Sequence, residues 1–152
     1  MKTEIQVLQK LKEIIASQLD THVDMSEAES PPSIREEHIC IDFPDVDRMR
    51  RNTMFFIQPD YEHLEQISMR SDLATMQVTV FILCKGASNA VLIQRVFSYY
   101  TACYLLIKRN PTFDGFIDFT QITDMDYYPA VTASKTMTAI EVSLALQWSK
   151  DC

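Results

Sequence analysis

Glycine is nearly missing from this sequence: Gly86 and Gly115 are the only two in 152 residues, where an average composition gives roughly 7%. Two glycines so far apart spell neither GxGxxG nor GxxxxGK[ST], which excludes the phosphate cradles that depend on bare backbone. Long apolar runs are missing too. No uninterrupted stretch approaches the roughly 18 residues of a membrane span, and Glu4, Lys10, Lys12 and Glu13 break up the N-terminal apolar positions, unlike a signal-peptide core. The expectation is a chain made in the cytoplasm, with no membrane partner. Cys40, Cys84, Cys103 and Cys152 form no CxxC pair, and three of them fall in apolar stretches. They read as buried reduced thiols, without disulfides or structural zinc. His22, His38 and His63 have neither HExxH nor HxxxH spacing, and no GxSxG accompanies them. Positive charge is short as well: 14 basic against 21 acidic residues leave a formal charge of −7, which disfavours a protein that grips nucleic acid by its phosphates.

What remains is an ordinary globular composition, 47% hydrophobic and 23% charged, of a length that fills one core. A single domain over residues 1–152 is expected. Thr3 and Gln6 have capping-box spacing, and Ile5, Leu8, Leu11, Ile15 and Leu19 follow at helical intervals. Residues 20–33 carry Asp24, Glu27, Glu29, Pro31 and Pro32 with little apolar content, and read as an exposed connection. The period then changes to two. Ile39, Ile41 and Phe43 share one strand face; 54–58 is a second strand bounded by Pro59, and 62–69 a third; 70–74 is a turn before the β-rich 75–84. Ser88 is placed to cap a long helix over 89–109, with Leu92, Val96, Tyr99, Cys103 and Leu106 as its core face. Phe97, Tyr100, Leu105 and Ile107 widen that surface beyond one stripe, enough to offer a partner surface. Residues 116–123 form another strand, 124–135 a connection, and 137–148 a last strand in which Ile140, Val142, Leu144, Leu146 and Trp148 alternate with Ala139, Glu141, Ser143, Ala145 and Gln147. The fold class that follows is α+β: a largely antiparallel sheet with two helices packed on one face, in the order α-β-β-β-β-α-β-β.

Candidate chemistry is thin. Asp42, Asp45 and Asp47 suggest a hard cation, yet the turn glycine and distal Glu of an EF-hand are absent and Arg48, Arg50 and Arg51 lie alongside as counter-charges. A salt-bridged loop, within the subunit or across to a neighbour, is the better reading. Asp124 and Asp126 are read the same way. A metal-dependent nuclease would need Asp/Glu-x-Lys on a strand after Asp60, and Leu64 and Ile67 stand where that lysine would be. Most aromatics fall on strands or the second helix as core; Tyr127 and Tyr128, in the connection, read as contacts between proteins. No catalytic residue, metal or cofactor is expected.

Ile117-Asp-Phe119, Ile122-Thr-Asp-Met-Asp-Tyr-Tyr-Pro129 and the closing Ala139-Ile-Glu-Val-Ser-Leu-Ala-Leu-Gln-Trp148, followed by Ser-Lys-Asp151, together with the element order, resemble the tail-terminator and neck proteins of long-tailed bacteriophages and prophages. The resemblance covers nearly the whole chain in outline. It implies a structural, non-enzymatic virion protein, located at the tail–neck region and in the host cytoplasm during assembly. Six copies would form a homo-oligomeric ring on the tail tube protein, stop tube growth and present a docking surface to the head connector, while DNA passes through without specific binding. A head–tail joining protein of similar fold is the alternative within that class, and a small ligand-binding or regulatory α+β domain the alternative outside it. Subunit contacts are expected at Arg48, Arg50 and Arg51, at the hairpin bearing Arg70 and Asp72, and at Tyr127 and Tyr128.

Overall fold

Fifteen residues from Glu4 to Gln18 form α1. Thr3 starts it with both bonds of a capping box, its hydroxyl accepting from the Gln6 amide at 3.4 Å while Gln6 Oε1 accepts from the Thr3 amide at 2.9 Å. The buried face is Val7, Leu8, Leu11, Ile14 and Ile15. Ile5, expected on it, is exposed, and the stripe passes through Val7 and Ile14 instead. The computed structural model of the protein describes residues 1–23, 31–45, 49–128 and 137–151. Of the expected connection 20–33, residues 24–30 thus lie outside the described residues. Its C-terminal part is fixed and not wholly exposed: Pro31 is buried, Asp20 accepts from the Ile34 amide at 3.0 Å, and the Pro32 carbonyl accepts from the Tyr99 hydroxyl at 2.6 Å.

The strands are β1 (Ile39–Cys40), β2 (Thr53–Ser68), β3 (Ser71–Lys85), β4 (Phe119–Tyr128) and β5 (Met137–Asp151), with α2 (Asn89–Arg109) between β3 and β4. They form one sheet in the order β1-β2-β3-β5-β4, antiparallel except for the short β1–β2 pair. The α+β class and the single-faced helix layer are as expected, but one strand fewer precedes α2. The two strands expected at 54–58 and 62–69 are one, running straight through Pro59. Proline breaks a strand only where its missing N–H is needed, and here β1 pairs no further than Phe56, so Pro59 lies on the outer edge. A register shift between Pro59 and Tyr61 absorbs the irregularity. The expected turn at 70–74 shrinks to Met69–Arg70. At the other edge, β4 begins at Phe119 and runs on to Tyr128, where a connection was expected; a register shift between Ile122 and Asp124 lets it continue.

Helix α2 has the predicted bounds and core face. Ser88 precedes it in extended conformation, accepting the Leu92 amide through its carbonyl at 3.0 Å while its side chain makes no capping bond. Its length and mean hydropathy of 1.4 would suit a membrane span, yet seven of its side chains are buried in the core. That core lies between the helices and one sheet face, filled by alternate residues of β3 (Met76, Val78, Val80, Ile82) and β5 (Ile140, Val142, Leu144, Leu146). A smaller apolar cluster on the opposite face joins Met49, Met54, Phe56, Leu83, Met137 and Ala139 at one end of the sheet. Cys84 and Cys103 are buried and unbridged, and burial pushes their thiols up to about 11 and about 12; Cys40 is half-buried.

Candidate functional site: the open sheet face and its two rims

Partners across an antiparallel ladder point to the same side, so the register defines the face that the helices leave uncovered. It carries Gln58, Thr79 and Ser143 in one row with Asp124, and Phe81 and Glu141 in the next with Asp126. Asp60 joins them, accepting from the Thr79 hydroxyl at 2.7 Å. Glu65 lies further along, level with Leu73 and Ser149. Asp151 pairs with Ser71 at the far end, so six carboxylates share this face. Among the described residues, Lys85 is the one lysine or arginine whose strand position lies there, and it sits at the margin, donating to the Met49 carbonyl at 3.2 Å. The electrostatics register the imbalance: partial burial raises the Glu141 carboxyl, the Tyr128 hydroxyl lowers it, and the Asp126 and Asp60 charges raise it again. Glu141 in turn raises the Tyr128 phenol, whose hydroxyl lies 3.3 Å from Glu141 Oε2.

The residues expected to make subunit contacts separate to opposite ends of this sheet. Tyr128 pairs with Ala139, and Ala139 with Leu83, so the C-terminal end of β4 lies at the end of the sheet where β2 starts. Arg50 and Arg51 precede β2 there; both are exposed, and Arg51 lies 3.5 Å from Glu37. Arg48 lies outside the described residues. Arg70 is exposed at the β2–β3 turn, at the far end, while Asp72 is half-buried beside Gln66. At the usual rise per strand residue, the length of β3 separates the two ends by about 45 Å. One expectation is corrected: Tyr127 and Tyr128 are on a strand and not in a connection. Tyr127 faces the helix layer and stacks on Phe97, centroids 5.2 Å apart, so the chain itself partly covers one of the two.

A groove of about 720 Å³ opens beside Arg50 and Arg51, floored by Cys40, Met49, Met54 and Phe56 and edged by Glu37 and Asp42. No group of three or more His, Cys, Asp or Glu among the described residues is placed to hold a metal ion.

Sequence patterning missed a charge cluster that ties the two chain ends together. The Lys150 ammonium is hydrogen bonded to Glu4 at the start of α1 and lies 3.2 and 3.3 Å from the two carboxylate oxygens of Glu62 on β2, bonding the farther one. Burial alone would lower the Lys150 ammonium, but the two carboxylates win and raise it. The bond to Lys150 lowers Glu4, whereas burial, and then the neighbouring Glu4 carboxylate, leave Glu62 raised. The signs therefore oppose. Glu4 contributes stability above its unfolded value near 4.5 that is lost as pH falls through its folded value; ionised Glu62 costs stability, a cost that disappears below 4.5; Lys150 contributes below 10.5, and its share is lost as pH rises through its folded value. Lys150→Met is expected to destabilise by about 2 kcal/mol at neutral pH, less than for a fully buried pair because Glu4 is partly exposed. Glu62→Gln should recover a good part of that loss in the double variant. Urea denaturation of the four proteins checks both, and equal losses with and without Glu62 would show that the carboxylate carries no penalty.

The chain matches no known protein-family model and no curated protein; its function rests on the surfaces just described.

Proposed function

We propose that the chain is a structural virion assembly protein resembling a phage tail terminator: copies close into a ring that caps the tail tube, stops its growth and offers a docking surface to the head. The observation that carries this reading is the one-sided sheet. Both helices lie on one face; the other is closed at one end over Met54, Phe56 and Leu83, where Arg50 and Arg51 stand, and along the rest of its length the described strand positions are acidic, with Lys85 as the one lysine or arginine at the margin. A surface of that kind makes a poor nucleic-acid binding site, because releasing counter-ions from DNA requires positive groups. It makes a good wall for a channel through which DNA must slide without sticking, since like charges repel at short range while solvent keeps the face hydrated. A ring of identical subunits needs two different contact patches on each copy, so that each contact repeats by the same rotation until it closes. Contact residues at opposite ends and edges of one sheet meet that requirement. Capping follows if one ring surface complements the last tube ring and the other lacks what recruits the next tube subunit. The acidic face leaves passing DNA unbound, and no step of this role calls on a catalytic group.

The test is removal of the gene from the phage or prophage that carries it. Electron microscopy should show tails of uncontrolled length and heads left unjoined, with infectious titre lost and restored by the gene supplied in trans. Normal virions from the deletion would end the proposal.

A further inference from the structure

Twelve large hydrophobic side chains are exposed among the described residues, and nine of them gather along the two rims of the sheet. On the β2 rim they are Tyr61, Leu64, Ile67 and, at the turn, Met69, all at least half exposed. The β4 rim carries Phe119 and Tyr128. Beside it runs a stripe of α2, Ile93, Phe97 and Tyr104, spaced to share one side of the helix and joined to β4 where Phe97 meets Tyr127. The backbone agrees with the side chains. β1 pairs only with Phe55 and Phe56, so among the described residues the outer edge of β2 from Gln58 onwards has no strand beside it, and β4 has none on its outer side. Natural sheets blunt such edges or pair them.

We infer that these two rims are one contact: the free half of β2 in one copy adds antiparallel to β4 of the next, with Leu64 on the helix side of the new ladder. This rests on the ring reading above and specifies its subunit contact. Strand direction supports it. β2, β3, β5 and β4 alternate in direction, so a second copy placed alongside by rotation about the strand direction brings its β4 to β2 with opposite polarity, the more stable ladder. The same operation keeps both helix layers on one side. Leu64 pairs with Ala74, whose side chain lies under the helices, so it projects to the helix side of the contact, level with Trp148 and the start of the neighbour's β4. Repeated, the contact removes both free edges, buries the two apolar rims that a lone subunit leaves wet, and turns every acidic face inward. A two-fold pairing of β2 with β2 would leave the β4 rim bare.

Two rim variants of the full chain test it, Leu64→Lys and Phe119→Lys, at side chains 50% and 48% exposed, so that each should keep the wild-type circular dichroism spectrum. In sedimentation velocity the wild type should run as a closed multimer and each variant alone as a monomer. An equimolar mixture should run as a one-to-one dimer, because one intact β2 rim and one intact β4 rim remain and can meet only once. A mixture that stays monomeric, or either variant pairing with itself, overturns the contact. A wild-type multimer unchanged by both substitutions overturns the contact and leaves the ring reading standing; a wild type monomeric at every concentration overturns both.

Discussion

Trp148→Ala should cost about 4 kcal/mol, in the range of large aromatic truncations in cores, and lower the melting temperature by roughly 12 °C for a chain of this size. Trp148 is 1% exposed and heads the largest fully buried side chains. It lies opposite Ala74, a small residue that leaves the indole its space. Its ring nitrogen donates to the Lys2 carbonyl at 3.3 Å, so the substitution empties a cavity and also releases the segment leading into α1. Trp148→Phe keeps most of the volume and loses only the donor, and should cost less than half as much. Thermal and urea unfolding of both variants give the comparison. A loss below 1 kcal/mol for the alanine variant would mean that this end of the core collapses freely around the missing ring.

Reversing three charges on the open face, Asp124→Lys, Asp126→Lys and Glu141→Lys together, should leave folding intact and cost at least a tenfold drop in infectious titre. Each reversal changes the charge by +2, taking the formal charge per chain from −7 to −1; repeated around the proposed ring, the change would line its channel with cations that hold phosphates. Folding should not suffer, because Glu141 already bears the repulsion of Asp126 and Asp60 and its ionised form is disfavoured. Particles complemented with the variant should look joined and of normal tail length, while the purified ring retards DNA in a gel at low salt and loses it as salt rises. Full infectivity together with no DNA retardation would show that DNA does not meet this face.

The fold was legible wherever one pattern dominated a long stretch. The alternation in β5 has one face fully buried, and its polar partners Glu141, Ser143 and Gln147 already marked an uncovered side. α2 was placed over 89–109 after Ser88 and has those bounds. Local punctuation failed where position in the sheet overrode it. Pro59 reads as a strand end, yet an edge strand can hold it once the neighbouring strand has stopped; Asp124 and Asp126 read as a connection, yet β4 carries acids because its outward face meets water. The contact residues named from sequence fell at strand ends and turns, while the rims themselves, and the bond of Lys150 to Glu4 from opposite ends of the chain, arise from pairings that no local window contains. Ile5 failed for a plainer reason. Val7, Leu8, Leu11, Ile14 and Ile15 set the buried side of α1, and Ile5 points away from it.

Among the described strands β5 comes last in sequence, yet it lies inside the sheet, with β3 on one side and β4 on the other. On the ribosome, the β2–β3 hairpin and α2 emerge while the slot between β3 and β4 is still vacant, so for part of synthesis β3 presents an unfilled edge lined with Val78, Val80 and Ile82. The β3–β5 and β4–β5 ladders cannot form until β5 itself leaves the exit tunnel. A copy that breaks off before β5 leaves β3 and β4 without the strand that joins them, and so has no route to a sound core.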